Sequence, residues 1–125
     1  MNDKRPVNLA LHTMKFPITA ITSILHRITG FLLFFLIPLS LWVLDTTLNS
    51  PNSFVNTMNF LHSPSGKFWV WVFLSALLFH LVMGIRHLFM DLGIAETLRG
   101  GKVTSWLGII CSGILIILAG VWIWQ

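Results

Sequence analysis

Charge is scarce in this chain. Asp, Glu, Lys and Arg make up 10% of its 125 residues and apolar residues 55%, whereas soluble domains average about 25% charged residues. A soluble domain of this length could not bury so much apolar surface, so lipid must solvate it. Cysteine is nearly absent too. The single Cys111 lies inside an apolar run, forms no intrachain disulfide or metal cage, and reads as a small buried or lipid-facing apolar residue. Tyrosine is missing altogether, which leaves aromatic anchoring to the six tryptophans. No Gly-rich loop follows a strand, which excludes a dinucleotide site within the chain. No basic patch stands clear of the apolar runs. The formal charge of +4 therefore argues for membrane orientation and against nucleic acid. There is no internal repeat or low-complexity tract.

What remains is long apolar runs. A spanning helix needs about 20 mostly apolar residues, and three segments qualify, at about 21–46, 68–92 and 103–124. They predict an all-α membrane protein with three transmembrane helices, one anchor domain over residues 1–125. Continuous apolar runs, without alternation, exclude a β-barrel. The polar start, Met1 to Pro6, resembles neither a signal peptide nor an organelle presequence, so the chain is expected to be mature as written and bacterial. Lys4, Arg5, Lys15 and Arg27 precede or begin the first span, and Arg86, Arg99 and Lys102 flank the second connection. The first connection carries only Lys67. The positive-inside rule then places the N-terminus and the 91–102 loop in the cytoplasm, and the 45–67 loop and the C-terminus on the periplasmic side. Trp69, Trp71, Trp122 and Trp124 read as interfacial anchors. Pro17 suits the start of the first helix, and Pro38 predicts a kink within it. Asn49 to Asn52 and Ser63 to Gly66 read as turns.

His80 stands near the middle of an uncharged stretch, Phe68 to Ile85. An imidazole at that depth is costly and marks a functional site by default. On a helix His80, Gly84, His87 and Asp91 share one face. One polar stripe with one small residue suits a flat, apolar cofactor with polar edges, and haem is the leading candidate. His80 and His87 differ in depth by about 10 Å. His80 could therefore ligate the haem iron, His87 could meet the propionates near the surface, and Gly84 would clear space for the macrocycle. The alternative is an interhelical hydrogen bond for His80 and snorkelling for His87. A six-coordinate haem needs a second ligand. His26 begins the first helix, His12 lies in the tail and His62 in the outer loop, while Met83 is one turn from His80 on the same helix. The chain thus predicts a second transmembrane subunit that supplies the other ligand.

Ser23, His26, Arg27 and Gly30 share a face of the first helix. Cationic groups in the first turns of a helix oppose its dipole. Arg27 could pair with a propionate or donate to a quinone carbonyl, Ser23 offers a hydroxyl to a quinone oxygen, and His26 could close the propionate end. Snorkelling of His26 and Arg27 to lipid phosphates is the alternative.

Four motifs complete the reading: Arg5-Pro6-Val7-Asn8-Leu9, Phe16-Pro17-Ile18-Thr19-Ala20-Ile21, Ser23-Ile24-Leu25-His26-Arg27-x-x-Gly30 and His80-x-x-x-Gly84-Ile85-Arg86-His87-x-x-x-Asp91. Together they resemble the cytochrome b556 subunits of bacterial succinate dehydrogenase, specifically over the N-terminal third and the second span. Over 45–66 and 103–125 only length and hydrophobicity match. The resemblance implies an inner-membrane complex of four chains: a flavoprotein subunit, an iron–sulfur subunit and two membrane anchors that form the ubiquinone site. It leaves room for a higher oligomer of that complex. It implies His80 as the haem b axial ligand, with the other ligand from the partner anchor. His26, Arg27 and His87 would lie near the propionates, and Ser23, Ile24 and Arg27 at the ubiquinone site. The role of Asp91 stays open. No catalytic residue is expected in this chain alone, which cannot oxidise succinate or hold a flavin. The remaining alternatives are a haem-free, quinone-binding anchor of a fumarate reductase-like complex and a non-redox structural membrane subunit.

Overall fold

The computed structural model describes residues 15–125. Lys4, Arg5, His12 and the Arg5–Leu9 motif lie outside the described residues. Among the described residues four helices follow in order: α1 (Ile18–Leu48), α2 (Pro51–His62), α3 (Pro64–Asp91) and α4 (Leu98–Trp124). No strand occurs among the described residues. α1, α3 and α4 have 31, 28 and 27 residues and are apolar enough to span a bilayer. At 1.5 Å per residue each exceeds the ~30 Å hydrocarbon core. The three-span, all-α architecture expected from hydropathy is the one observed.

The helices start three to five residues before the apolar runs do, because capping sets a helix start and hydropathy does not. The Pro17 carbonyl accepts from the Ala20 N–H at 2.9 Å. Ser63 Oγ accepts from the Gly66 N–H at 3.2 Å and Thr97 Oγ1 from the Gly100 N–H at 3.0 Å. The same chemistry builds α2, where the sequence suggested only turns. Ser50 Oγ accepts from the Ser53 N–H at 3.0 Å, and Pro51 occupies the first turn. A Ser-Pro pair is an N-cap and first helical residue as readily as a turn. α2 carries no charge and no fully buried residue. It turns into α3 at Gly66, where a β-carbon would collide with the Phe60 carbonyl oxygen. α1 passes through Pro38 as one element, and the missing N–H leaves the Phe34 carbonyl without its helical donor.

Side-chain contacts give the spanning helices an up-down-up arrangement. Thr22 and Ser105 approach to 3.4 Å between the starts of α1 and α4. At the end of α3, Arg86 donates to Thr104 Oγ1 at 3.2 Å and to the Gly101 carbonyl at 3.1 Å, both on the first turns of α4. Arg86 therefore is buried and ties two helices together; it is not a loop charge. At the opposite end, Trp71 donates from Nε1 to the Ile116 carbonyl at 3.0 Å and packs edge-on against Trp124. Trp71 is thus a half-buried α3–α4 contact. Trp69 and Trp122 are exposed, at 59% and 73%, as surface anchors should be.

Small residues supply much of the core. Gly101, Ser105, Gly108 and Ser112, at i, i+4, i+7 and i+11, form the buried stripe of α4. Such stripes let membrane helices approach where no hydrophobic force drives them together. Met83, fully buried, fills the hollow at Gly108, where a β-carbon would lie 2.9 Å from its Cε. Gly108→Leu is expected to overpack this contact by about 1–3 kcal/mol, read as a lower thermal denaturation midpoint of the detergent-purified protein. Gly108→Ala should be milder, since only the flexible end of Met83 must move. An unchanged midpoint for Gly108→Leu would contradict this packing.

Candidate functional site

The inward face of α1 carries Thr22, His26, Thr29 and Leu33, spaced four, three and four residues apart; Thr22 meets Ser105 of α4, while His26 and Thr29 meet His80 of α3. Its small member, Gly30, lets α3 come close. A β-carbon there would lie 2.9 Å from His80 Cε1, so Gly30 makes room for the His80 ring. The ring is fixed by two polar contacts. His80 Nδ1 lies 3.1 Å from the His26 carbonyl oxygen and 3.3 Å from Thr29 Oγ1. A carbonyl only accepts, so Nδ1 carries the proton and Nε2 carries the lone pair. The Thr29 hydroxyl proton is directed back along its own helix, to the carbonyls of Leu25 (3.0 Å) and His26 (2.9 Å). Its oxygen is free to accept from Nδ1.

Three imidazoles meet here. The His26 ring stacks on His80 with centroids 4.0 Å apart and planes 13° apart, and is tilted against His87 at 5.1 Å. Gly84 lies beside the His26 ring: a β-carbon there would meet His26 Nε2 at 3.5 Å, an ordinary van der Waals contact. That nitrogen is buried and has no hydrogen-bond partner. The stacked His26 and His80 rings offer faces to each other rather than convergent lone pairs, and His87 is tilted beside them. Among the described residues no group of three His, Cys, Asp or Glu could hold a metal ion.

The sequence put His26 nearer the surface than His80. α1 begins at Ile18, which carries His26 about 12 Å into the helix, deep enough for its ring to reach the His80 ring. Ser23 and Arg27, one turn apart, lie on the flank of α1 beside this face. Ser23 is half-buried, while Arg27 and Ile24 are exposed. The structure thus gathers His26, His80 and His87 and leaves Arg27 and Ile24 on the outside of the bundle. Asp91 is exposed at the end of α3. Sequence reasoning missed Thr29. Its signal was available in the Thr22, His26, Thr29, Leu33 spacing, but a threonine in an apolar helix ordinarily bonds its own backbone.

Comparison with known proteins extends the motif resemblance over nearly the whole chain. Residues 1–121 match the family model described as succinate dehydrogenase/fumarate reductase transmembrane subunit. The chain is 49% identical to the succinate dehydrogenase cytochrome b556 subunit of Coxiella burnetii, over 99% of this chain and 100% of that one. It is 33% identical to the Rickettsia felis protein of the same name, over 93% and 90%. For the Paracoccus denitrificans protein the figure is 38%, over 71% and 68%. The similarity covers α4, where no motif had carried it. The chain is a multi-pass membrane protein and belongs to the succinate dehydrogenase/fumarate reductase transmembrane subunit family.

Proposed function

We propose that this chain is a membrane anchor of succinate:ubiquinone oxidoreductase that binds haem b together with a second anchor subunit and helps form the site of ubiquinone reduction. The observation that carries the haem part is the hydrogen bonding of His80. With Nδ1 donating to the His26 carbonyl, the Nε2 lone pair is available to iron, and the ring is oriented as haem-ligating imidazoles are. His26 supplies the second point of fit. Its buried, unpartnered Nε2 would gain a partner from a propionate, and the half-buried His87 stands beside it. Bound haem would supply one-electron redox chemistry at this place. The relatives' names, cytochrome b556, support the same cofactor.

His26 presents its ring face, not a lone pair, to His80, so a further haem ligand would come from a partner subunit. In the quinone site, Arg27 is a fixed positive charge and Ser23 a short-range hydroxyl donor. Both would bind the quinone carbonyls and stabilise negative charge that develops there as electrons arrive singly. Ile24 would line the pocket. The exposure of Arg27 and Ile24 fits residues that a partner chain covers. The basic end of the bundle, with Lys15, Arg27, Arg99 and Lys102, would face the cytoplasm, where an iron–sulfur and a flavoprotein subunit dock.

The test is purification of the chain from its native membrane under mild detergent. The expected result is co-purification with three other chains, one flavin-containing, one with iron–sulfur clusters and one a small membrane protein, with a b-type spectrum after dithionite reduction. A chain that purifies with neither haem nor soluble partners would overturn the proposal in favour of a structural membrane protein. Partners without haem would point to a haem-free anchor.

A further inference from the structure

The environment of His80 contains a residue that neither the motifs nor the relatives' names assign. The side chain of Thr29 is on α1, 51 positions from His80 in sequence, and its Oγ1 lies 3.3 Å from His80 Nδ1. The hydroxyl proton is directed at the carbonyls of Leu25 and His26. A hydroxyl has one proton and two lone pairs, so towards His80 it acts as an acceptor. The Nδ1 proton is thus shared between two acceptors on one helix turn, the His26 carbonyl at 3.1 Å and Thr29 Oγ1. The carbonyl is backbone and cannot be varied by mutation. Thr29 is the adjustable half of the pair.

We propose that Thr29 is a positioning residue for the haem ligand, holding His80 in the tautomer that presents Nε2 and raising the electron-donor strength of its ring. The inference rests on the haem-ligand reading of His80. Hydrogen bonds to the outer nitrogen of a ligating imidazole orient the ring and raise its basicity. A more basic imidazole favours ferric over ferrous iron and lowers the midpoint potential. Removing one of two acceptors therefore raises that potential. The geometry of α1 adds a steric constraint: Gly30 admits the His80 ring against the helix, so the ring cannot drift away from Thr29 without leaving that hollow.

The experiment compares the intact complex carrying Thr29→Val, Thr29→Ser or His80→Ala with the unaltered complex, by redox titration of the b-type band and by haem content per flavin. Valine keeps the shape of threonine without the acceptor, and serine keeps the acceptor without the methyl. For Thr29→Val the expected shift is upward, with the ferric-to-ferrous preference falling by up to roughly tenfold, the low end of such outer-sphere effects, which is ~59 mV for one electron. Thr29→Ser should titrate as the unaltered complex does. Thr29→Val with an unmoved or lowered potential, in a complex whose band does respond to His80→Ala, overturns the role of Thr29 alone. A band indifferent to His80→Ala, or no band in the unaltered complex, overturns the haem-ligand reading and this inference with it. Failure of Thr29→Val to assemble, beside normal assembly and an unmoved potential in Thr29→Ala, assigns the residue to packing and also overturns the proposal.

Discussion

His80→Ala is expected to abolish the low-spin b-type band of the dithionite-reduced complex, at equal recovery of flavin. The size of the effect follows from bounds on smaller changes. Loss of a partner behind a metal ligand costs roughly 10–100-fold in affinity, and loss of the ligand itself must cost at least the upper figure. Its neighbours do not replace it as they stand. His26 lies parallel to His80 at 4.0 Å, so its face, not its lone pair, is directed at the place His80 occupies. His87 is on the same helix, seven residues and about 10 Å further along. Met83 is fully buried against Gly108 on the α4 side. The measurement is a reduced-minus-oxidised spectrum normalised to flavin. A low-spin band of unchanged height would remove His80 from the iron. Succinate oxidation by an artificial dye, a reaction of the soluble chains, should persist in the same preparation.

Much of this fold was legible from hydropathy because lipid imposes a simple rule: every backbone polar group in the bilayer must be satisfied within the chain. Three long apolar runs therefore had to be three helices. What hydropathy does not encode is how they pack. The Gly101, Ser105, Gly108, Ser112 stripe is visible in the sequence once the 4-3-4 spacing is sought, but in a run so uniformly apolar it does not stand out by hydrophobicity. By residue type alone Arg86 reads as a loop charge and Trp71 as a surface anchor. Both are half-apolar side chains with a donor at the tip, which suits either a water interface or a buried carbonyl. Only the neighbouring helix decides between them. α2 was hidden because Ser-Pro pairs at 50–51 and 63–64 serve turns and helix starts equally.

The candidate site divides along the same line. The periodicity of α3 brought His80, Gly84 and His87 to one face, which is a property of one helix and so can be read from one helix. That His26 lies beside Gly84, or that Thr29 meets Nδ1, depends on the vertical register of α1 against α3. That register follows from where α1 begins, and three residues of error in the start shift a side chain by about 4.5 Å.

Arg27→Ala and Ser23→Ala are expected to separate two activities of the assembled complex. Both residues lie on α1 one turn apart, on the flank adjoining the His26 face, and Arg27 is exposed in the isolated chain. Neither belongs to the packed core of Thr22, Met83, Ser105 and Ser112, so their removal should leave the bundle folded and the anchor assembled. The proposed contribution of Arg27 is a donor and a permanent charge at a quinone carbonyl whose charge grows as electrons arrive. Donors aimed at developing charge in a water-poor site are worth about 10²–10³ in rate when removed singly. Arg27→Ala should therefore lower succinate-driven ubiquinone reduction by roughly a hundredfold or more. Arg27→Lys should restore part of it, since lysine keeps the charge but not the planar fork of donors. Ser23→Ala should cost less, about tenfold, as the loss of a neutral donor with a net worth near 1.4 kcal/mol. Dye reduction by succinate should be unchanged in all three variants, because that reaction ends before electrons enter the membrane. Equal loss of dye and quinone reduction would assign Arg27 and Ser23 to docking of the soluble chains. Retention of both activities would leave Arg27 as a headgroup contact at the membrane surface.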